Sequence, residues 1–242
     1  MFERVRSLFS SASKSQSGGG PASIELRPRD CHCHAIAGVD DGSRSLEESI
    51  AMLRLLSEAG AGTVVCTSHI FPGRFPNEPD DLKRGFEALH RALEASGLGV
   101  ELELGAEHFL DESLPGRVRE GRVLAFGPER YLLFETITSE SVPVGLFEAV
   151  SAMTEKGYVP LLAHVERYRW LRDNDSGEEV LYDLRSAGVK FQVNRTVGKV
   201  NVPGQGSRGR FLSRLIERGF VDEVGSDLHR PTPEGRPYAN GE

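Results

Sequence analysis

From about Ile24 onward, short apolar runs alternate with amphipathic stretches in a regular order. The apolar runs predict strands at Ser23–Leu26 or a little beyond, Thr63–Cys66, Val100–Leu104, Tyr131–Phe134, Tyr158–Leu162, Val189–Val193 and Asp222–Val224. Helical spacing lies between them. Leu46–Ala59 carries apolar residues at Leu46, Ile50, Leu53 and Leu56, with Ser45 as N-cap and Gly60 as its stop. Further helices are predicted over Asp80–Ser96, Val144–Lys156, Glu178–Ala187 and Ser207–Arg218, each followed at once by a glycine. Helices closed by glycine and soon followed by a strand form a βα repeat. Seven such units predict an α/β fold, a barrel of parallel strands with helices outside; an open doubly wound sheet is the alternative.

Residues 1–25 break the pattern. Phe2, Val5, Leu8 and Phe9 line one side of a short stretch, and a Ser/Gly-rich run, SSASKSQSGGGPAS, follows. This reads as a flexible N-terminal tail, leaving residues 26–242 as one domain.

Composition narrows the function classes. The 242 residues carry a formal net charge of −7, against nucleic acid as the main partner. A small phosphorylated group stays compatible, because it needs only local positive charge. Three cysteines do not make a disulfide framework. No apolar run approaches the roughly 20 residues of a membrane span, and no secretory signal is visible. A cytoplasmic protein is the expectation.

Metal-competent residues follow nearly every predicted strand. They are Asp30, His32 and His34 with Asp40 and Asp41, then His69, Glu107, Glu135, His164, and finally Asp227 with His229; the sixth strand leads to Asn194. In a βα barrel these positions meet at the C-terminal face. In extended chain His32 and His34 point to one side and Cys31 and Cys33 to the other, so the two imidazoles can share an ion. A donor set of imidazole and carboxylate suits Mn, Fe or Zn, and Glu107, Glu135 and Asp227 can each bridge two ions. Paired ions are a common device for phosphate-ester hydrolysis. Arg167 and Arg236 supply guanidinium forks for phosphate oxygens. His90 reads as a surface or packing residue, and His108 as a neighbour of the site mouth rather than a ligand.

Two rival chemistries fail on spacing. A cysteine phosphatase loop needs Arg six residues after Cys, where Ala37, Val39 and Pro72 stand. The GxGxxG match at Gly204–Gly209 lies some ten residues beyond its strand, not in a strand–helix turn.

The stretches DCHCHAIAGVDDGSRSLEES, TSHIFPGRF, GAEHFLDE, YLLFE, AHVERYRW, FQVNRT and GSDLHR together resemble the polymerase-and-histidinol-phosphatase superfamily of metal-dependent phosphoesterases. Within it the chain is similar to the bacterial tyrosine-protein phosphatases of capsule and exopolysaccharide synthesis, from about Arg29 to Tyr238. The resemblance implies a distorted seven-unit barrel and a centre of two or three ions, commonly manganese. By that resemblance the ligands are His32, His34, Asp41, His69, Glu107, Glu135, His164, Asp227 and His229, with Arg167 and Arg236 on the phosphate. The implied partner is a phosphotyrosine-bearing protein, an autophosphorylating bacterial tyrosine kinase. A small-molecule phosphatase such as one for histidinol phosphate, and a metal-binding regulator without catalysis, are the alternatives. The family continues past Glu242 with a further helix, so the domain reads as short at its C-terminus.

Overall fold

The computed structural model describes residues 29–174, 176–194 and 206–231. The proposed tail lies outside them, as does Arg236. The order along the chain is β1 (Arg29–Cys33), α1 (Leu46–Glu58), β2 (Thr63–Cys66), β3 (His69–Ile70), α2 (Pro79–Ser96), β4 (Glu101–Leu104) and β5 (Glu107–Phe109). It continues with α3 (Leu114–Glu120), β6 (Tyr131–Glu135), α4 (Leu146–Glu155), β7 (Val159–Leu162), a 3-10 turn (Val165–Arg167), α5 (Arg169–Arg172), α6 (Gly177–Ser186), β8 (Lys190–Asn194), α7 (Ser207–Glu217) and β9 (Glu223–Gly225).

Every strand pairing is parallel, in the orders β1–β2–β4 and β3–β5–β6–β7–β8–β9. The two sheets meet end to end. Two residues separate β2 from β3 and β4 from β5, and there Thr67 N–H donates to Cys33 O (2.8 Å) and Glu107 N–H to Thr67 O (3.0 Å). At the other edge β1 meets the segment after β9. Cys33 forms a parallel bridge with Leu228, His34 N–H donates to Leu228 O (3.0 Å), and Asp227 N–H donates to His32 O (2.7 Å). The parallel sheet is therefore curled.

Alternation along the strands places the core. Val65, Tyr131, Leu133 and Leu161 face a small inner cluster that also takes Cys31, Phe126 and Ala163. Their strand neighbours turn outward. Leu132, Phe134 and Leu162 pack under α3, α4, α6 and α7, and Val64 and Cys66 pack under α1 and α2. Strands buried on both faces read as near-continuous apolar runs, and this is why YLLF and VPLL stand out in the sequence.

The five predicted helices form to within two residues at either end. Ser45 caps α1 through its hydroxyl, which accepts from Glu48 N–H (3.3 Å), and Glu78 with Asp81 forms a capping box at α2. The strand expected at Ser23–Leu26 or a little beyond lies outside the described residues; the first described strand, β1, starts at Arg29 and holds His32. His69 and Glu107 likewise fall inside the short β3 and β5. Helix α3 was not expected: Pro115 and Gly116 open it, a weak local signal, and burial of Leu114 and Val118 holds it.

Candidate metal centre

The first strand is bent into its role. Asp30, fully buried, accepts from His32 N–H (3.1 Å) and from Ser226 N–H (2.9 Å), and the register of β1 on β2 is irregular between Asp30 and Cys33. The irregularity breaks the alternation expected for the thiols. Cys31 enters the inner cluster, whereas Cys33 packs under α1 and α2. The two imidazoles still converge, with their Nε2 atoms 3.1 Å apart.

What holds them so is a set of acceptors on their other nitrogens. His34 Nδ1 is 2.9 Å from Asp40 Oδ2, which also accepts from His69 N–H (2.9 Å), while Asp40 Oδ1 accepts from Gly42 N–H (2.9 Å). His32 Nδ1 is 3.1 Å from Gln192 Oε1. That oxygen is fixed as the acceptor because it takes His164 N–H (2.7 Å), and the Gln192 amide nitrogen donates to Val193 O (2.6 Å) and Asn194 Oδ1 (2.8 Å). In their neutral form both imidazoles therefore carry the proton on Nδ1 and aim the Nε2 lone pair at a common point.

Carboxylates complete that point. Glu107 Oε2 lies 3.2 Å from His32 Nε2 and 3.4 Å from His34 Nε2; Asp227 Oδ1 lies 3.4 and 3.3 Å from the same atoms. Two further groups adjoin. His34, Asp41, His69 and His229 come together, as do His69, Glu107 and Glu135. His69 Nδ1, 3.2 Å from Glu107 Oε2 and 3.3 Å from Glu135 Oε1, is buried without a hydrogen bond, and so is Asp41 Oδ1. His164 stands beside these groups, its Nε2 2.9 Å from Glu107 Oε1.

Close backbone approach fixes the frame. A Cβ on Gly42 would sit 2.3 Å from His34 O, and one on Gly225 would sit 2.4 Å from His32 Cβ. His164 (φ 33°) and Asp227 (φ 53°) occupy the left-handed region without being glycine, a strain found at functional sites.

The electrostatics point the same way. Burial pushes the Glu135 carboxyl well up, reinforced by Glu107 and Asp227. Burial also opposes charge on Asp227, yet Arg167, His32 and the His34 contact hold it well below the usual carboxylate range. Asp40 is likewise depressed, with His34 and then His69 outweighing its burial. Burial lowers His69 to about 4. At His32 and His34 burial is outweighed by the facing carboxylates, which raise both imidazoles in the metal-free protein. Converging lone pairs, an excess of buried carboxylates and orphaned donor atoms are what divalent ions satisfy. Bonds of about 2.0–2.2 Å imply donor–donor edges of roughly 3.0–3.5 Å, close to the separations at His32, His34, Glu107 and Asp227.

The centre opens into a cavity of about 420 Å³ lined by Asp41, His69, Glu107, Glu135, His164, Asp227 and His229 together with Phe71, Arg74, Phe75 and Arg167. Arg167 Nη2 contacts Asp227 Oδ2. Asn194 Nδ2 donates to the same oxygen (2.8 Å). His108 is buried and turned to the backbone of Leu124, its pKa lowered to about 3 by burial, and it does not line the cavity. His90 is half exposed beside Glu94. All three thiols are buried and reduced; burial lifts Cys66 to about 12 and Cys33 well above its ordinary value, so neither is a thiolate nucleophile.

Against known proteins, the family described as "Capsular polysaccharide synthesis, CpsB/CapC" matches residues 29–238. The chain belongs to this family. Among its relatives, tyrosine-protein phosphatase YwqE of Bacillus subtilis is 28% identical over 201 residues, covering 83% of this chain and 76% of YwqE. Tyrosine-protein phosphatase CpsB of Streptococcus pneumoniae is 27% identical over 205 residues, 83% of this chain and 82% of CpsB. A crystal structure from work on YwqE and CpsB, described as unique metal-dependent tyrosine phosphatases, superposes with a TM-score of 0.76 at 26% identity, covering 86% of this chain and 82% of its own.

Asp40, which the sequence offers only as a metal-competent carboxylate beside Asp41, and Gln192, which it does not single out, orient the imidazoles. Gln192 carried a signal: Lys190, Gln192 and Asn194 are three polar residues alternating with Phe191 and Val193 along one strand. Spacing alone does not separate Asp40 from Asp41; the family resemblance does.

Proposed function

We propose that this CpsB/CapC-family chain is a metal-dependent protein-tyrosine phosphatase, and that its target is an autophosphorylating bacterial tyrosine kinase of capsule or exopolysaccharide synthesis. The observation that carries the proposal is the convergence of His32, His34, Glu107 and Asp227 on one buried point; the names of the relatives supply the substrate class. In this reading His32, His34, Asp41, His69, Glu107, Glu135, His164, Asp227 and His229 hold two or three ions, Mn first, with Fe or Zn as the other candidates. When bound, such ions neutralise phosphate charge and make water acidic enough to attack near neutral pH. Asp40 and Gln192 keep the Nδ1 protons of His34 and His32 in place. Arg167, held at the cavity by Asp227, donates to a phosphate oxygen, and Arg236, outside the described residues, is proposed to do the same. The leaving phenolate, of pKa about 10, makes little demand on a general acid.

A distorted seven-unit barrel is proposed for the fold. If β2–β3 and β4–β5 count as two interrupted strands, the parallel set numbers seven, and the Cys33–Leu228 bridge supports a closed seven-unit barrel. Residues 26–242 are proposed as the domain and 1–25 as its tail. No helix among the described residues is long and apolar enough to cross a membrane, and a cytoplasmic site of action is proposed with the kinase as partner.

The test is phosphate release from a phosphotyrosine peptide and from histidinol phosphate, with Mn²⁺ and with chelator. Chelator-sensitive release from the peptide, lost in His34→Ala, is expected. Faster release from histidinol phosphate would move the protein to small-molecule metabolism.

A further inference from the structure

The cavity wall has one chemically distinct part. Among the described side chains that line it, only Phe71 and Phe75 are apolar, and both belong to one tight turn after β3. Phe71 N–H donates to Phe75 O (2.9 Å) and Phe75 N–H returns to Phe71 O (2.8 Å), with Arg74 N–H also on Phe71 O (3.1 Å). The turn is pinned from below. The Asn77 amide donates to His69 O and to Val39 O, each at 2.8 Å. The rings are set by packing: Phe71 lies parallel to Phe109 (3.8 Å, 2°), and Phe75 lies parallel to His69 (5.2 Å, 8°). The Arg74 guanidinium sits over the Phe75 ring, 5.0 Å from its centroid, and 3.6 Å from Asp41 Oδ2, with its side chain 64% exposed.

We infer that this turn is the specificity wall of the site, with Phe71 and Phe75 receiving the aromatic ring of an aryl phosphate whose phosphoryl group lies on the metal-competent floor. The inference rests on the phosphotyrosine reading above and deepens it. A cavity walled by charge alone would bind any phosphate monoester by its dianion. An aromatic wall adds contact with the carbon part of the ester, and an aryl group gains more there than a short alkyl group. Ring–ring contact contributes about 0.5–1.5 kcal/mol beyond area burial. Arg74, on the same turn, adds a cation that can lie over the bound ring. The rigid turn holds the wall in place before the substrate arrives, which limits the ordering cost of binding.

The test measures binding as well as turnover. In the full-length Mn²⁺-loaded protein, calorimetry compares a peptide bearing phosphonomethyl-phenylalanine with the same peptide bearing an alkyl phosphonate, in wild type, Phe71→Leu and Phe71→Tyr. Leucine retains apolar volume against Phe109 but removes the ring; tyrosine restores it. The expected result is a fall of about fivefold to tenfold in the aryl-to-alkyl affinity ratio for Phe71→Leu, with Phe71→Tyr within twofold of wild type. Equal affinity of wild type for both peptides, or an unchanged ratio in Phe71→Leu, overturns the inference. Thermal unfolding of each variant shows whether the fold is retained, and Phe75→Leu repeats the measurement if Phe71→Leu does not fold. Absence of turnover on a phosphotyrosine peptide, with the aryl preference in binding intact, contradicts the phosphatase reading and leaves the specificity wall standing.

Discussion

The orientation of two imidazoles depends on two side chains that do not line the cavity described above. Asp40 takes the Nδ1 proton of His34 and the backbone N–H of His69, and Gln192 takes the Nδ1 proton of His32. Partners of this kind typically contribute 10- to 100-fold to metal affinity. Asp40→Asn is therefore expected to weaken Mn²⁺ binding by about 10- to 100-fold, with most of the turnover recovered at saturating metal; a metal titration followed by activity checks it. The sign of the pH dependence follows from the same atoms. Facing carboxylates raise His32 and His34 in the metal-free protein, so protons compete with an ion for these imidazoles more strongly than for an ordinary histidine. Metal affinity should fall as pH is lowered from 8 to 6, and a competition titration with a chromogenic chelator reads it directly. At this scale the sequence was legible in residue types and in the His32–His34 pairing. Residue pattern alone did not distinguish the proposed ligand Asp41 from its neighbour Asp40, because a loop has no period that says which carboxylate faces inward.

At the level of elements, the parallel strands and the capped helices follow from local chemistry, and the breaks do not. Strands β2 and β4 are each interrupted by two residues before resuming as β3 and β5, and those short resumptions carry His69 and Glu107. No sequence period marks a strand of two or three residues. The bend in β1 is likewise set by a partner distant in sequence, Ser226, through Asp30. Two substitutions probe this layer. Ser45→Ala removes the hydroxyl that caps α1 and should cost about 1 kcal/mol in urea unfolding. Gly225→Ala brings a methyl to 2.4 Å from His32 Cβ at the junction of β9 and β1. It is expected to cost about 1–3 kcal/mol and to lower metal affinity as well, since the β1–β9 junction carries both His32 and Asp227. A Gly225→Ala protein as stable and as tight for metal as wild type would show that this close approach does not matter.

Across the whole molecule, the candidate ligands come from β1, the loop after it, β3, β5, β6 and the segments after β7 and β9. Ions bound there would tie together both sheets and the edge where Cys33 meets Leu228. An ion at 100 times its Kd adds about 2.7 kcal/mol to folding stability, so chelation should lower Tm by several degrees, and His34→Ala should remove most of that difference. The most direct measurement is phosphate release from a phosphotyrosine peptide as Mn²⁺ is returned to chelator-stripped protein, with bound metal counted in the same samples. Activity that rises from zero and saturates at two or three ions per chain is the predicted result. Full activity in the stripped protein, or bound metal without any release of phosphate, would contradict it.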